Sequence, residues 1–238
     1  MGQIDQQAIK EAAGRAAVEA LVKSGMKLGL GTGSTAVHAV RRVGELLANG
    51  ALRDIAAFAT SFQTEMECEK LGIPFYPLNS RELSGSLDLT IDGADEVDPQ
   101  NRLVKGGGGA MLVEKLAAYA SSEFAVAVDE SKIVKTVGTG FPVPVEVIPG
   151  ARVTATKAIA ALGGKATLRE ALRKAGPVIT EHGNLILDIL FAAPVDPAEL
   201  ELELNRIPGI VENGFFSRKT PVIYIGRSDG LIEVRKGC

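Results

Sequence analysis

Residues 87–115 read LDLTIDGADEVDPQNRLVKGGGGAMLVEK, and the order of features in this stretch sets the expected architecture. Leu87-Asp88-Leu89-Thr90-Ile91 is a short apolar run of the kind found in buried strands. It ends at Asp92-Gly93-Ala94-Asp95, which puts two carboxylates on the loop at the strand's C-terminal end. Ten residues past Asp95 stands Lys105, followed by Gly106, Gly107, Gly108 and Gly109 and then a helical segment over 110–120. That segment is expected to carry Leu112, Leu116 and Tyr119 on a core-facing stripe, with Glu114 on roughly the opposite face. In an open α/β sheet ligands bind outside the carboxyl ends of the strands, where this loop is expected to lie.

Taken singly, some of these features have ordinary explanations. An Asp-Gly-Ala-Asp loop is common turn chemistry, and a glutamate in an early helical turn is a macrodipole partner. Four consecutive glycines are harder to explain that way, since each costs roughly 0.5–1 kcal/mol of extra backbone entropy. A flexible linker is out of place inside a strand–loop–helix unit. Close approach of a ligand to backbone N–H groups gives the run a reason, and the acids, the lysine and the glutamate around it make this the candidate site.

Toward the N-terminus a second ligand loop is expected. Asp5 can cap a helix striped by Ile9, Ala13, Ala16 and Ala20, which Ser24-Gly25 ends. Met26–Leu30 reads as a strand, followed by the loop Gly31-Thr32-Gly33-Ser34-Thr35 and a helix from about Ala36 to Leu47. Unpaired N–H groups at the helix start, with hydroxyls from Thr32, Ser34 and Thr35, make a natural anion site. A dinucleotide fingerprint would need glycine where Ser34 stands, and no Gly-Lys-Ser/Thr follows for a P-loop. A single phosphate monoester is the expected occupant.

Next come a strand over 55–59 and a helix from Thr60-Ser61 to Leu71, stopped by Gly72. Helix capping explains Thr60 and Ser61, so these two and Gln63 are left out of the site. Phe75-Tyr76, between two prolines, reads as a short edge strand. A buried strand over 124–128 leads into Asp129-Glu130-Ser131-Lys132, which brings Lys132 to the sheet edge expected for Asp92 and Thr32 and makes it a phosphate contact.

The composition changes at Phe141–Gly150, where three prolines argue against an interior strand throughout. Beyond it lie a helix over 154–162, a hairpin of 178–180 with 185–191, a helix opened by Asp196-Pro197, a strand pattern over 210–216, and returning strands at 222–225 and 232–234. The expected fold is α/β, with an open, mainly parallel sheet carrying helices on both faces and a smaller α+β inserted domain. The expected domains are 1–140 together with 220–238, and the insert 141–219.

The chain of 238 residues, 46% hydrophobic and 23% charged, is long enough for a full core. A net charge of −3 and 5% aromatic residues give no case for a nucleic-acid partner. Cys68 and Cys238 form neither a disulfide framework nor a metal pair. The opening MGQIDQQAIKE lacks an apolar signal region, Gln6 breaks the myristoylation pattern begun by Met1-Gly2, and no apolar stretch reaches membrane-span length. A cytoplasmic setting and no membrane partner are expected. His38 and His182 are weak candidates as acid or base. Asp92, Asp95, Glu96 and Asp98 resemble a hard-cation loop without its spacing, so no metal is expected.

The blocks GLGTGSTA (29–36), DGADEVD (92–98), KGGGGA (105–110), Glu114-Lys115, and Asp129-Glu130-Ser131-Lys132 together resemble the type A ribose-5-phosphate isomerases. FPVPVEVIPGAR (141–152) and GNLILD (183–188) extend the likeness into the second domain, with Gly109 as the one added glycine. The resemblance implies that Thr32, Gly33, Ser34 and Thr35 hold the substrate phosphate, helped by Lys132 and Lys10. Asp92, Gly93, Ala94 and Asp95 would hold sugar hydroxyls, with Asp92 assisting ring opening. Lys105, Gly106, Gly107 and Gly108 would face the C1 and C2 oxygens, and Glu114 would be the base. It also implies a homodimer or larger homo-oligomer.

The chemistry agrees with these residue types. Aldose–ketose isomerisation needs one base serving C1 and C2 in turn, a part a carboxylate plays when burial and neighbouring acids raise its basicity. The developing enediolate needs a cation or N–H donors, and a remotely held phosphate lends binding energy to orientation. No cofactor is required. Three alternatives differ in class: a glucosamine-6-phosphate deaminase-like enzyme would release ammonia, a dinucleotide-dependent dehydrogenase is opposed by Ser34, and a non-catalytic sugar-phosphate sensor would carry a DNA-binding helix pair. The few residues before Ile9 are expected to leave no room for such a pair.

Overall fold

The computed structural model describes residues 5–237, so the Met1-Gly2 opening and Cys238 lie outside the described residues. In chain order the first half contains α1 (Gln6–Leu21), β1 (Lys27–Leu30), α2 (Ala36–Ala48), β2 (Ala56–Ala59), α3 (Phe62–Leu71), β3 (Leu87–Asp92), β4 (Glu96–Val97) and β5 (Leu103–Val104). Then come α4 (Met111–Ala120), β6 (Ser121–Asp129), β7 (Val143–Val147), α5 (Arg152–Ala161), β8 (Gly164–Leu168) and β9 (Leu185–Phe191). The chain closes with α6 (Pro197–Asn205), β10 (Ile210–Asn213), β11 (Phe215–Phe216), β12 (Val222–Gly226) and β13 (Ile232–Arg235).

Contacts divide the chain into two compact units. The first runs to Ala94, resumes over Val113–Lys132 and again from Lys219; the second is Asp95–Leu112 with Ile133–Arg218. Residues 95–112 and 133–140, expected in the first unit, therefore cluster with the second. The cause is local pairing. The small sheet β11-β5-β4 ties 96–104 to Phe215-Phe216, and Val134 N donates to Val97 O at 2.9 Å.

The first unit is built on a six-stranded sheet in the order β13-β12-β6-β3-β1-β2, parallel except for the antiparallel edge strand β13. Its central strands are buried on both faces, as parallel strands with helical crossovers require. On one face Leu28, Leu30, Leu89, Ile91, Ala125 and Ala127 pack with Ala13, Ala17 and Val18 of α1, Val40 and Val43 of α2, and Cys68 of α3. On the other, Ala117 of α4 packs with Leu83 and Leu87, and Thr90 Oγ1 donates to Ala117 O at 3.2 Å. Each fully buried Leu or Ile here contributes about 1.5–3 kcal/mol.

Two helix faces differ from their sequence reading. In α1 the buried line is Ile9, Ala13, Gly14, Ala17 and Val18, whereas Ala16 is half-buried and Ala20 exposed. In α4 the buried residues are Met111, Glu114, Lys115, Ala117 and Ala118, while Leu116 is exposed and Leu112 and Tyr119 are half-buried. The spacing is still helical, at i, i+3, i+4 and i+7. Because two of the hidden side chains are charged, a stripe sought among apolar residues alone falls on the wrong side.

The second unit holds the antiparallel sheet β10-β7-β9-β8, whose core joins Val143, Val145, Val147, Leu187 and Ile189 to Ala155 and Ile159 of α5 and Leu200 and Leu204 of α6. Pro144 lies inside the interior strand β7, against the expectation from its prolines. It is tolerated because β10 pairing stops at Asn213↔Val145 and the bare Gly214 passes the proline ring, where a Cβ would meet Pro144 Cδ at 2.7 Å. Pro144 O still accepts from Gly214 N at 2.7 Å. The expected hairpin is reduced to a single bridge, Ile179↔Leu185, and β9 instead pairs along its length with β7 and with β8, a strand the sequence reading lacked. The 210–216 pattern is two strands in different sheets.

Candidate active site

In the first unit β2 lies on one side of β1 and β3 on the other, so the crevice between β1 and β3 is a topological switch point. The loop 31–35 leaves β1 there, and Asp92 ends β3 beside it. Asp92 is fully buried, and its Oδ1 accepts the N–H of Thr32 at 3.1 Å and of Gly93 at 2.7 Å. Gly31 must lack a side chain, since a Cβ would stand 2.1 Å from Asp92 Oδ1. Asp92 and the 31–35 loop are thereby locked together.

The loop is also braced from behind. Thr32 Oγ1 lies 2.8 Å from Thr60 Oγ1, 2.6 Å from Ser61 Oγ and 3.0 Å from Thr64 Oγ1. Thr60 Oγ1 donates to Leu30 O at 3.1 Å and Thr64 Oγ1 to Gly31 O at 2.9 Å. The Thr32 hydroxyl is therefore occupied within the protein, and its N–H is taken by Asp92. Ser34, by contrast, is exposed, and Lys10 Nζ donates to its Oγ at 3.1 Å. Thr35 is buried at the start of α2, and Gly33 is half-buried.

Lys132 is half-buried in a 3-10 turn that follows β6, at the same edge of the sheet and two strands along from β1. Glu114 is 5% exposed and Lys115 3%, so the N-terminal half of α4 buries a carboxylate and an ammonium. Gly93 and Ala94 are half-buried. His38 is not placed as an acid or base of this loop: it is buried on α2, 2.8 Å from Gln7 Nε2, and burial pushes its pKa down.

In the second unit Lys105 is 3% exposed, with Nζ 5.7 Å from the centre of the Phe216 ring, a cation–π arrangement. The glycines after it have unequal needs. Gly106 and Gly109 adopt φ of 104° and 84°, and a Cβ on Gly107 would lie 2.7 Å from Asp95 Oδ1, whereas a Cβ on Gly108 would meet nothing within 4 Å. Gly107 N donates to Asp95 Oδ2 at 2.7 Å. Of the other acids in the stretch, Glu96 accepts from Gly138 N at 2.6 Å and Phe141 N at 2.7 Å. Asp98 accepts from Gln100 N and Arg102 N, both at 2.9 Å. Both are loop anchors, and among the described residues no group of three His, Cys, Asp or Glu side chains is placed to hold a metal ion.

Two supports were missed in the sequence. Hydroxyls at Thr60, Ser61 and Thr64 begin the helix after the neighbouring parallel strand, a pattern that could have pointed to the loop's backing. Arg169 is the other: its Nη1 donates to Gly106 O at 3.0 Å and Gly107 O at 3.1 Å, across more than sixty residues of chain, and no local signal marks it.

Residues 56–230 match the model of the family described as ribose 5-phosphate isomerase A (phosphoriboisomerase A). The chain belongs to the ribose 5-phosphate isomerase A family. That is a family of aldose–ketose isomerases. The ribose-5-phosphate isomerase A of Treponema denticola is 55% identical over 90% of this chain and 91% of its own length. The solved ribose 5-phosphate isomerase A of Methanocaldococcus jannaschii matches with a TM-score of 0.91 and 41% identity, over 98% of this chain and all of that one. A D-ribose-5-phosphate isomerase solved in complex with phospho-erythronic acid matches with a TM-score of 0.92 and 36% identity, over 98% of this chain and 100% of the other.

Proposed function

We propose that the chain interconverts D-ribose 5-phosphate and D-ribulose 5-phosphate through an enediolate, with Glu114 moving the proton between C2 and C1. The carboxylate takes the C2 proton as charge flows onto the C1 oxygen. The C2 hydroxyl proton passes to the C1 oxygen, and the carboxylate, its proton open to exchange with solvent, delivers a proton to C1 as the C2 oxygen becomes the ketone. Lys105 and the N–H groups of the glycine run take up the charge on the oxygen. The loop 32–35, with Lys10 and Lys132, holds the phosphate, and Asp92 and Asp95 hold hydroxyls, Asp92 also assisting ring opening. The observation that carries the reading is Glu114 itself, a carboxylate 5% exposed in the first turn of the helix that continues directly from Lys105 and the glycines.

The phospho-erythronic acid held by the matching solved structure supports this, because its carboxylate imitates the planar, charged end of an enediolate. Protein incubated with ribose 5-phosphate in D₂O should form ribulose 5-phosphate carrying deuterium at C1. Product without label even after many forward and reverse turnovers would argue against a carboxylate in exchange with solvent. A metal is not part of the proposed route, and the engagement of Glu96 and Asp98 as loop anchors supports that; loss of activity on chelation, restored by a divalent ion, would refute it. The proposal includes a place in the pentose phosphate interconversions, self-association as a homodimer or larger oligomer, and a reducing cytoplasmic setting. The free, buried thiol of Cys68 fits the last, and light scattering tests the assembly. Among the described residues no helix is long and apolar enough to cross a membrane.

A further inference from the structure

We propose that Arg169 is a positioning residue that fixes the Gly107–Gly108 peptide, so that the Gly108 N–H is presented to the oxygen that gains charge during isomerisation. The inference rests on the reading above, in which the glycine run faces the reacting oxygens.

Arg169 follows β8, and its own backbone is fixed: Arg169 N donates to Ile186 O at 2.9 Å, and Val178 N donates to Arg169 O at 2.9 Å. The guanidinium is clamped at one side by Asp188 of β9, with Nε donating to Oδ2 at 2.8 Å and Nη2 to Oδ1. Such a two-pronged pair fixes the plane of the fork as well as its position. The remaining nitrogen, Nη1, reaches the carbonyls of Gly106 and Gly107.

Peptide geometry then dictates the rest. No cis peptide occurs among the described residues, and in a planar trans peptide the N–H points opposite to the C=O. The Gly106–Gly107 unit is held at both ends, its carbonyl by Arg169 and its N–H by Asp95. The Gly107–Gly108 unit has its carbonyl on Arg169, so the Gly108 N–H is turned away from the guanidinium. Gly108 is exposed, and neither its backbone angle nor its neighbours require glycine, because a Cβ there would meet nothing within 4 Å. A position that the protein leaves clear, on a peptide whose other end is gripped, suits close approach of a ligand oxygen. Four glycines alone would be loose. The guanidinium removes that looseness before substrate arrives, which is what makes an oxyanion donor effective.

The test is Arg169→Lys, which keeps the charge opposite Asp188 but replaces a planar fork by a single ammonium. Three quantities are compared with the parent enzyme: turnover, inhibition by phospho-erythronic acid, which probes the charged reacting end, and inhibition by inorganic phosphate, which probes only the anion loop. Turnover should fall by about tenfold or more, approaching at most the roughly 10²–10³-fold cost of losing an oxyanion donor outright. Phospho-erythronic acid should weaken by a similar factor, while KM and phosphate inhibition stay within about twofold. A folded variant with unchanged turnover and unchanged phospho-erythronic acid inhibition overturns the proposal. So does a parallel loss in all three, which marks Arg169 as a general structural support. Should Arg169→Lys fail to fold, Asp188→Asn loosens the same clamp and must give the same selective pattern, or the proposal fails. Gly108→Ala separates this inference from the reading beneath it. If that variant is fully active, the glycine run does not meet the substrate, and reading and inference fall together. If it is impaired while Arg169→Lys is not, only the inference falls.

Discussion

The loop over 31–35 and the glycine run over 106–109 are held in contrasting ways. The first is braced from behind by many small contacts: buried hydroxyls of Thr60, Ser61 and Thr64, and the Asp92 carboxylate on the Thr32 N–H. The second is held by two side chains from separate parts of the sequence, Asp95 on one N–H and the long Arg169 on two carbonyls. A bound phosphate keeps its charge throughout a reaction, so a rigid cradle of backbone and hydroxyl groups suffices for it. An oxygen that becomes charged only part-way through needs donors aimed at one place, and the aim of a glycine-rich segment has to be imposed from outside. The contrast therefore predicts different kinds of damage when each is cut.

The largest effect is expected at neither loop but at the carboxylate proposed to act between binding and charge stabilisation. Glu114→Gln keeps the volume and shape of the side chain and cannot accept a proton. Turnover should drop by roughly 10²–10⁴-fold, and the parent's incorporation of solvent deuterium into ribulose 5-phosphate should all but vanish. Inorganic phosphate should still bind, because the contacts proposed for it come from the 31–35 loop. Near-parental deuterium exchange would transfer the base role to Asp92 or Asp95. Glu114 lies on the buried face of α4 with Lys115, and the isosteric glutamine should preserve that packing and let the variant fold.

That burial marks the limit of what could be read from the chain. The parallel strands were legible because each is an apolar run closed by a turn signal, and α2 and α3 because Gly and Ser/Thr punctuate their ends. Ser61 does cap α3, accepting from Thr64 N at 3.3 Å, and Gly72 ends it with φ of 66°. The candidate site rests on residues whose chemistry clusters in sequence, at Asp92–Asp95, at Lys105–Gly108 and in the 31–35 loop. What failed was inference from hydrophobicity alone. The α4 stripe falls on the wrong side because two charged residues, Glu114 and Lys115, occupy buried positions, and nothing near Pro144 in sequence foretells that Gly214 accommodates its ring in an interior strand. The reach of Arg169 to the glycine carbonyls depends on tertiary pairing that no short motif encodes.

A cut at the bracing of the first loop should appear as lost stability before lost chemistry. Thr64→Val is nearly isosteric and removes the donor to Gly31 O and a partner of Thr32 Oγ1. A buried carbonyl left without its donor costs about 1–3 kcal/mol. Denaturant unfolding should therefore show a lower midpoint with an unchanged slope, whereas turnover at saturating substrate should move little. A drop in turnover with unaltered stability would show that the hydroxyl cluster does more than brace.

Ser34 is the exposed member of the same loop and should behave in the opposite sense. Ser34→Ala leaves folding intact and removes one hydrogen-bonding group, a loss of about 0.5–1.5 kcal/mol if the phosphate uses it, seen mainly in KM. Inorganic phosphate should compete with substrate in the parent and compete less well in the variant. If phosphate at high concentration leaves the parent's rate untouched, the loop is a structural turn, and the contrast between a holding loop and an aiming loop collapses.

The smallest effect expected is a pH dependence in the helix pair behind the first loop. His38 of α2 is 5% exposed and 2.8 Å from Gln7 Nε2 of α1, the helix that also brings Lys10 to Ser34. Burial lowers its pKa; Glu11 opposes that, while Arg41, Lys10 and Arg15 add to it. A base with a depressed folded pKa takes up its proton more readily in the unfolded chain. Stability is therefore complete above the ordinary histidine value of about 6.5 and declines as pH falls from there to the folded pKa, below which this loss levels off. Carboxylates held low by arginine partners, such as Glu45 with Arg15 and Glu67 with Arg41, act only at more acidic pH, so the two windows separate. Unfolding measured in steps from about pH 7.5 to 5 should show the slope in the parent and lose it in His38→Gln. An identical slope in both would mean that His38 titrates in the folded protein as it does in the unfolded one. The Gln7 contact would then hold the charged ring as well as the neutral one, and the packing of α1 on α2 would be indifferent to pH.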